Sequence, residues 1–77
     1  MKIDKDDFIT LSDNIKYLVA SKVINKNVNY FCLVDTVDNF NIKFVFLYDA
    51  EVIEVTDQKL LDKLLKLMIE DLRKELY

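Results

Sequence analysis

The stretch Val52–Leu61, VIEVTDQKLL, decides the fold because the hydrophobic period of the chain changes within it. In residues 8–55, β-branched and aromatic residues occur in short runs separated by Asn and Asp, a pattern typical of strands. From Thr56 onward, leucines recur every three or four residues, which predicts one amphipathic helix over residues 57–76. Thr56 or Asp57 can cap this helix by accepting a hydrogen bond from a free first-turn amide.

The strand region is expected to contain four or five strands that follow one another in space. The runs are Phe8–Leu11, Ile15–Ile24, Val28–Val37, Ile42–Tyr48 and Glu51–Val55. Short connections favour antiparallel neighbours, and Asn is expected to supply positive φ at the turns because the chain has no Gly. In the second run, one face is expected to carry Tyr17, Val19, Ser21 and Val23.

The predicted fold class is therefore α+β, with an antiparallel meander of four to five strands over about residues 8–55. The C-terminal amphipathic helix, over about residues 57–76, is expected to pack on one face of the sheet. A chain of 77 residues has room for one core, so residues 1–77 are expected to form a single domain.

The composition argues against an enzyme, because the chain has no Gly, no Pro, no His and no Trp. Without His it has no side chain that ordinarily titrates near neutral pH and no imidazole metal ligand. Without Gly it has none of the glycine loops that close around a phosphate. The single Cys, Cys32, has no His to activate it and is interpreted as a buried packing residue. We expect no catalytic residue, no metal site and no cofactor.

Two acidic segments and the aromatic residues of the strands are candidate sites. The cluster Asp4, Asp6 and Asp7 is interpreted as a solvated terminus. The segment Asp35–Asn41 resembles a calcium loop but lacks its Gly and its distal Glu, so a polar hairpin is expected. The strand aromatics are interpreted as packing residues rather than a nucleic-acid platform, because the net charge is -3.

The N-terminal residues favour a cytoplasmic location without a membrane anchor. Residues 1–7 are charged where a secretory signal needs an apolar stretch, and no apolar run is long enough to cross a bilayer. A lone Cys is typical of the reducing cytoplasm.

Both parts of the chain carry more apolar residues than one helix on one sheet requires. The apolar residues of the predicted helix, including Met68 and Ile69, cover about 200° of the helix surface. The third and fourth strands are apolar on both faces, and one helix covers only one of them. A second copy is the simplest cover for the other face, so a homodimer is expected. The predicted contact residues are Tyr30, Phe31, Leu33, Val45 and Leu47 on an uncovered sheet face, and Leu67, Ile69 and Leu76 on the helix margin.

The hydrophobic pattern of residues 9–70 resembles a loose group of small proteins from low-GC Gram-positive bacteria and their mobile elements. In that group, strand hairpins end in a V-T-D-x-x-L step into one C-terminal amphipathic helix. Here the step is Val55-Thr56-Asp57 followed by Leu60. The group has no known function, so the resemblance implies the fold and nothing catalytic.

Two functions are compatible with these observations. The first is a non-enzymatic protein-protein interaction module that forms a homodimer. The second is an inhibitor encoded by a phage or mobile element, which binds a host defence nuclease or polymerase in the manner of an anti-CRISPR protein. Small size, acidity and a bias toward Lys, Asn and Ile over Arg allow the second function.

Overall fold

A computed structural model describes the backbone of residues 3–76 and the side chains of residues 3–73. Its elements are β1 (Phe8–Thr10), β2 (Lys16–Asn25), β3 (Val28–Asp35), β4 (Ile42–Tyr48), β5 (Glu51–Glu54) and α1 (Gln58–Leu76). The five strands form one antiparallel sheet in the order β1-β2-β3-β4-β5, which is a meander. The predicted α+β fold with a C-terminal helix is confirmed.

Two hairpins turn through two residues at positive φ. Lys26 and Asn27 join β2 to β3 with φ of 50° and 65°, and Asp49 and Ala50 join β4 to β5 with φ of 48° and 65°. Positive φ at both central positions matches the right-handed twist of the flanking strands. The expected use of Asn is confirmed at Asn27, whereas Lys26 and Ala50 adopt this conformation against their intrinsic preference.

Local hydrogen bonds set the start of the helix and the end of the third strand. Oδ1 of Asp57 accepts a hydrogen bond of 3.2 Å from the N–H of Lys59, so Asp57 caps α1. β3 ends at Asp35, two residues earlier than the sequence predicts. The Asp35 carboxylate binds the N–H groups of Val37 and Asp38 and so turns the chain out of the sheet.

A β-bulge divides β2 into two parts that face opposite ways. The register with β3 shifts between Val19 and Ser21, where Ala20 is the extra residue. One inserted residue reverses every later side chain, because side chains alternate along a strand. Tyr17 therefore points to one face and Val23 to the other, and the expectation that these residues share a face is wrong.

The face of the sheet that carries α1, here called the helix face, holds one buried core. Its buried members are Val23, Tyr30, Cys32, Phe44, Val55 and Leu64. Leu64 is the fully buried contact from the middle of the helix. This packing is the one that the amphipathic pattern predicts.

The opposite face holds a second core, which the N-terminal part of the chain covers. Its buried members are Ile3, Tyr17, Val19, Phe31, Leu33 and Val45. Ile9, Leu11 and Ile15 pack against them. Two backbone hydrogen bonds of 2.8 Å, from Asp6 N–H to the Val19 carbonyl and from Val19 N–H to the Asp7 carbonyl, hold this segment against β2. The expectation of an uncovered sheet face is wrong, because residues 3–15 supply the missing cover.

Candidate interaction surfaces

Four of the predicted contact residues are buried within the protein. Tyr30 lies on the helix face, where its ring meets that of Phe46 edge-on at 5.7 Å between centroids. Phe31, Leu33 and Val45 lie on the opposite face in the second core. Tyr30 therefore does not share a surface with the other three, and none of the four is exposed to a partner.

The other four predicted contact residues differ in exposure. Leu47 and Leu67 are half-buried, each against one of the two cores. Ile69 is exposed on α1. The side chain of Leu76 lies outside the described residues. Among the predicted residues with a described side chain, Ile69 is the one that solvent reaches most freely.

A row of apolar side chains crosses four strands on the helix face. The register pairs Phe8 with Leu18, Leu18 with Val34, and Val34 with Ile42. Directly opposed residues point to the same face, so these four side chains form one line across the sheet. Phe8 is 57% exposed and Ile42 is 50% exposed. The row is not apparent from the sequence, because it depends on the register between strands and on the bulge in β2.

A stripe of exposed apolar residues lies on α1, on the same side of the sheet as the row. Leu65, Ile69 and Leu72 are four and three residues apart and are 45%, 43% and 40% exposed. The helix starts close to β5 and its later turns lie beside Val23 of β2, so it crosses the sheet obliquely. Because the helix is right-handed and Leu64 points to the sheet, the stripe faces the end of the sheet that carries the row. We call the row and the stripe together the lateral patch; its members are Phe8, Leu18, Val34, Ile42, Leu65, Ile69 and Leu72.

The loop between β3 and β4 lies at the same end of the sheet and exposes two more apolar residues, Val37 and Phe40. Asp35 organises this loop: it accepts the N–H of Val37 at 2.9 Å, and the Asn41 amide donates to its second oxygen at 3.2 Å. The hydrogen bond from the N–H of Val37 contributes most to lowering the pKa of Asp35 below its usual value. The carboxylate thus acts as a turn organiser, in line with the predicted polar hairpin.

On the opposite face, a cleft of about 540 Å³ lies between the β1–β2 loop and β5. Its walls are Thr10–Asp13 on one side and Glu51, Val52 and Glu54 on the other. Lys43 and Val45 contribute to it from β4.

Lys43 connects the two walls of the cleft. Its Nζ lies 3.3 Å from Oδ2 of Asp13 and 3.2 Å from Oε1 of Glu54. The same ammonium group lies 5.7 Å from the centroid of the Tyr17 ring. The hydrogen bond to the Glu54 carboxylate contributes most to raising the pKa of Lys43. Among the contacts that raise this pKa, the hydrogen bond to Asp13 comes next. The lysine is therefore held as a cation between two carboxylates.

The described residues do not assemble a reactive centre around the one thiol. Cys32 is buried, and this desolvation raises its pKa to about 11, which disfavours the thiolate. In residues 3–76, no three His, Cys, Asp or Glu residues are grouped so that they could hold a metal ion. Within the same part of the chain, α1 is not apolar enough to cross a membrane.

The protein thus presents two surfaces, the apolar lateral patch beside α1 and the mixed cleft on the opposite face. The patch is formed by strand register and helix orientation, and the cleft by the approach of the first loop to the last strand. No protein-family model, no curated protein and no solved structure matches this chain.

Proposed function

We propose that this protein is a non-enzymatic protein-interaction module that pairs with a second copy of itself through the lateral patch. The supporting observation is that the stripe on α1 and the two ends of the strand row expose apolar side chains on the same side of the sheet. Contiguous apolar patches of this kind mark interaction sites on soluble proteins. The contact residues predicted from sequence are replaced by the lateral patch, apart from Ile69, which belongs to both.

The size of the domain favours a second copy as the partner. Typical stable interfaces bury about 800 Å² per partner, which is about one seventh of the 5738 Å² that this protein exposes. A small domain gains a large part of its stability from such an extension of its core. No disulfide within the chain contributes, because Cys32 is the one cysteine.

The shape and the charges of the patch suit a two-fold arrangement. A two-fold axis sets the stripe on α1 of one copy against the strand row of the other, so each contact occurs twice. Lys16 lies at the rim of the row, with its Nζ 4.8 Å from the Phe8 ring centroid. Asp62 is exposed at the rim of the stripe, three residues before Leu65 and so on a neighbouring part of the helix surface. These rim charges have opposite signs and meet across the two-fold axis.

Sedimentation equilibrium on the wild-type protein and two charged variants tests this proposal. We expect a dimer for the wild type and a monomer for Ile69→Glu, because a carboxylate inside an apolar interface loses its hydration without gaining a partner. The matched control is Ile24→Glu, which places the same charge at an exposed isoleucine of β2 outside the patch and should stay dimeric. Circular dichroism verifies that each variant is folded.

A wild-type protein that remains monomeric at a concentration of about 100 µM would contradict the proposal, since this is far above the Kd of most specific dimers. Equal weakening by Ile69→Glu and Ile24→Glu would also contradict it. The alternative function, an inhibitor of a host nuclease or polymerase, stays a prediction, because no feature of the described residues is specific for either enzyme.

A further inference from the structure

The cleft on the opposite face is bordered by a strand edge that has no partner strand in residues 3–76. β5 is the last strand of the sheet and pairs on one side with β4. The N–H of Val55 donates to the carbonyl of Phe44 at 2.8 Å, which identifies the hydrogen-bonded pairs of this ladder. In an antiparallel pair such positions alternate, so the backbone groups of Val52 and Glu54 point away from β4.

The cleft is negatively charged despite the lysine at its floor. Three carboxylates line it, those of Asp13, Glu51 and Glu54, and Lys43 is the one cation among the lining residues. Three negative charges and one positive charge leave a net charge of -2. Since Lys43 already lies within ion-pair distance of Asp13 and Glu54, the surface attracts a further cation rather than an anion.

The remaining walls are apolar. Leu11 and Val52 are half-buried on the two sides of the cleft, and Val45 is buried beneath them. A volume of about 540 Å³ lies within the range that holds a compact ligand or a few side chains. The occupant must therefore combine apolar side chains, positive charge and unpaired backbone groups.

We propose that the cleft and the free edge of β5 bind an extended segment of a partner protein that carries both lysine or arginine and apolar residues at every second position, on one face of the strand. The segment adds a sixth strand: its backbone pairs with Val52 and Glu54, and the side chains on one of its faces enter the cleft. Because side chains alternate between the two faces of a strand, every second residue of the segment points into the cleft. The site is independent of the lateral patch, which lies on the helix face.

The test uses a capped seven-residue peptide, Ser-Lys-Ser-Val-Ser-Lys-Ser, titrated into ¹⁵N-labelled full-length protein. We expect saturable chemical-shift changes at the backbone amides of Leu11, Val52 and Glu54. Two control peptides separate the two contributions. Replacement of both lysines by glutamate removes charge complementarity, and N-methylation of the lysine and valine amides removes backbone pairing. Each control should bind at least about tenfold more weakly.

Two charge-reversal variants locate the site on the protein. Glu51→Lys places a cation in the cleft and should weaken the lysine peptide about fivefold or more. Glu70→Lys changes the net charge by the same amount at an exposed position on α1 and should leave the affinity within about twofold. Ile69→Glu, which targets the lateral patch, should also leave the peptide affinity unchanged. Failure of one proposed surface can therefore be distinguished from failure of the other.

Three results would overturn the proposal. The first is the absence of saturable shifts at Val52 and Glu54. The second is equal affinity for the lysine and glutamate peptides. The third is equal weakening by Glu51→Lys and Glu70→Lys, which would show that the peptide responds only to overall charge.

Discussion

The phenol of Tyr17 donates a hydrogen bond of 2.9 Å to Oδ2 of Asp13. Tyr17 is fully buried in the second core, whereas Asp13 lies in the β1–β2 loop, so this bond fastens the loop to the sheet. Lys43 then joins the same Asp13 oxygen to Glu54 in the last strand. The first loop and the last strand are thereby held at the two sides of the cleft.

The stability of the fold should decline in acid because two carboxyl groups titrate below their usual pKa. Asp13 has a lowered pKa, chiefly through the N–H of Ile15, with Tyr17 and Lys43 contributing. The pKa of Asp35 is lowered chiefly by the N–H of Val37. A group whose pKa is lower in the folded state stabilises the protein above its unfolded pKa, and that contribution is lost as the pH falls. The free energy of unfolding in urea should therefore drop between about pH 5 and about pH 3.

The Asp13→Asn variant tests the origin of this decline. Asn keeps an oxygen that can accept the N–H of Ile15 but no longer titrates. We expect a shallower dependence on pH than in the wild type, measured by urea denaturation across the same range. A decline as steep as that of the wild type would assign the effect to other groups.

Leucine truncation on the two faces tests whether both cores are closed within one protein chain. Leu64 and Leu33 are both fully buried, the first on the helix face and the second on the opposite face. We expect Leu64→Ala and Leu33→Ala each to lower the free energy of unfolding by about 3 kcal/mol, because each leaves a cavity. Urea denaturation, repeated at two protein concentrations, gives the free energy of unfolding of each variant. A loss below about 1 kcal/mol for Leu33→Ala alone would mean that the N-terminal segment does not close its face.

Substitution by glycine should change the free energy of unfolding in opposite directions at the two alanines of the chain. Ala50 has φ of 65°, where the methyl group is unfavourable, so Ala50→Gly should stabilise by about 1 kcal/mol. Ala20 lies within β2 and does not have positive φ. Ala20→Gly should therefore destabilise the protein by about 0.5–1 kcal/mol, because glycine gives the unfolded chain more conformational freedom. Thermal unfolding of both variants measures the difference. Destabilisation by Ala50→Gly would contradict the assigned backbone conformation of this turn.

Removal of the Ser21 hydroxyl should stabilise the protein. The residue is buried on the helix face, and its Oγ has no hydrogen-bond partner among the described residues. Ser21→Ala should raise the free energy of unfolding by about 1 kcal/mol, because a buried polar group without a partner is costly. Ser21→Leu is the contrasting variant: of the strands, β2 lies closest to α1, so the larger side chain should cost about 1–3 kcal/mol. A loss of stability in Ser21→Ala would indicate a hydrogen bond to the hydroxyl.

Local signals in the sequence were enough to predict the elements and their order. The change of period at Val55, the Asp57 cap and the turn at Asn27 each depend on residues that are close in the chain. Short connections between successive strands then leave the antiparallel meander as the simplest topology. These features are decided by interactions over a few residues, which a single sequence displays directly.

The candidate surfaces depend on interactions that the sequence does not display. The alternation of β2 looks continuous from Tyr17 to Val23, yet one bulged residue reverses the second half. The charged start of the chain gave no indication that Ile3 would help to cover a sheet face. The N-terminal cover buries predicted contact residues such as Leu33 in the interior.

By itself, the sequence determined that strands precede one helix, where the turns lie, and that apolar residues exceed what one sheet face requires. Only the tertiary structure decided which of these residues are exposed, because exposure depends on register and on contacts between distant segments. The row from Phe8 to Ile42 and the ion pairs of Lys43 arise when separated strands meet. The periodicity within one strand does not show which residues of another strand it will contact.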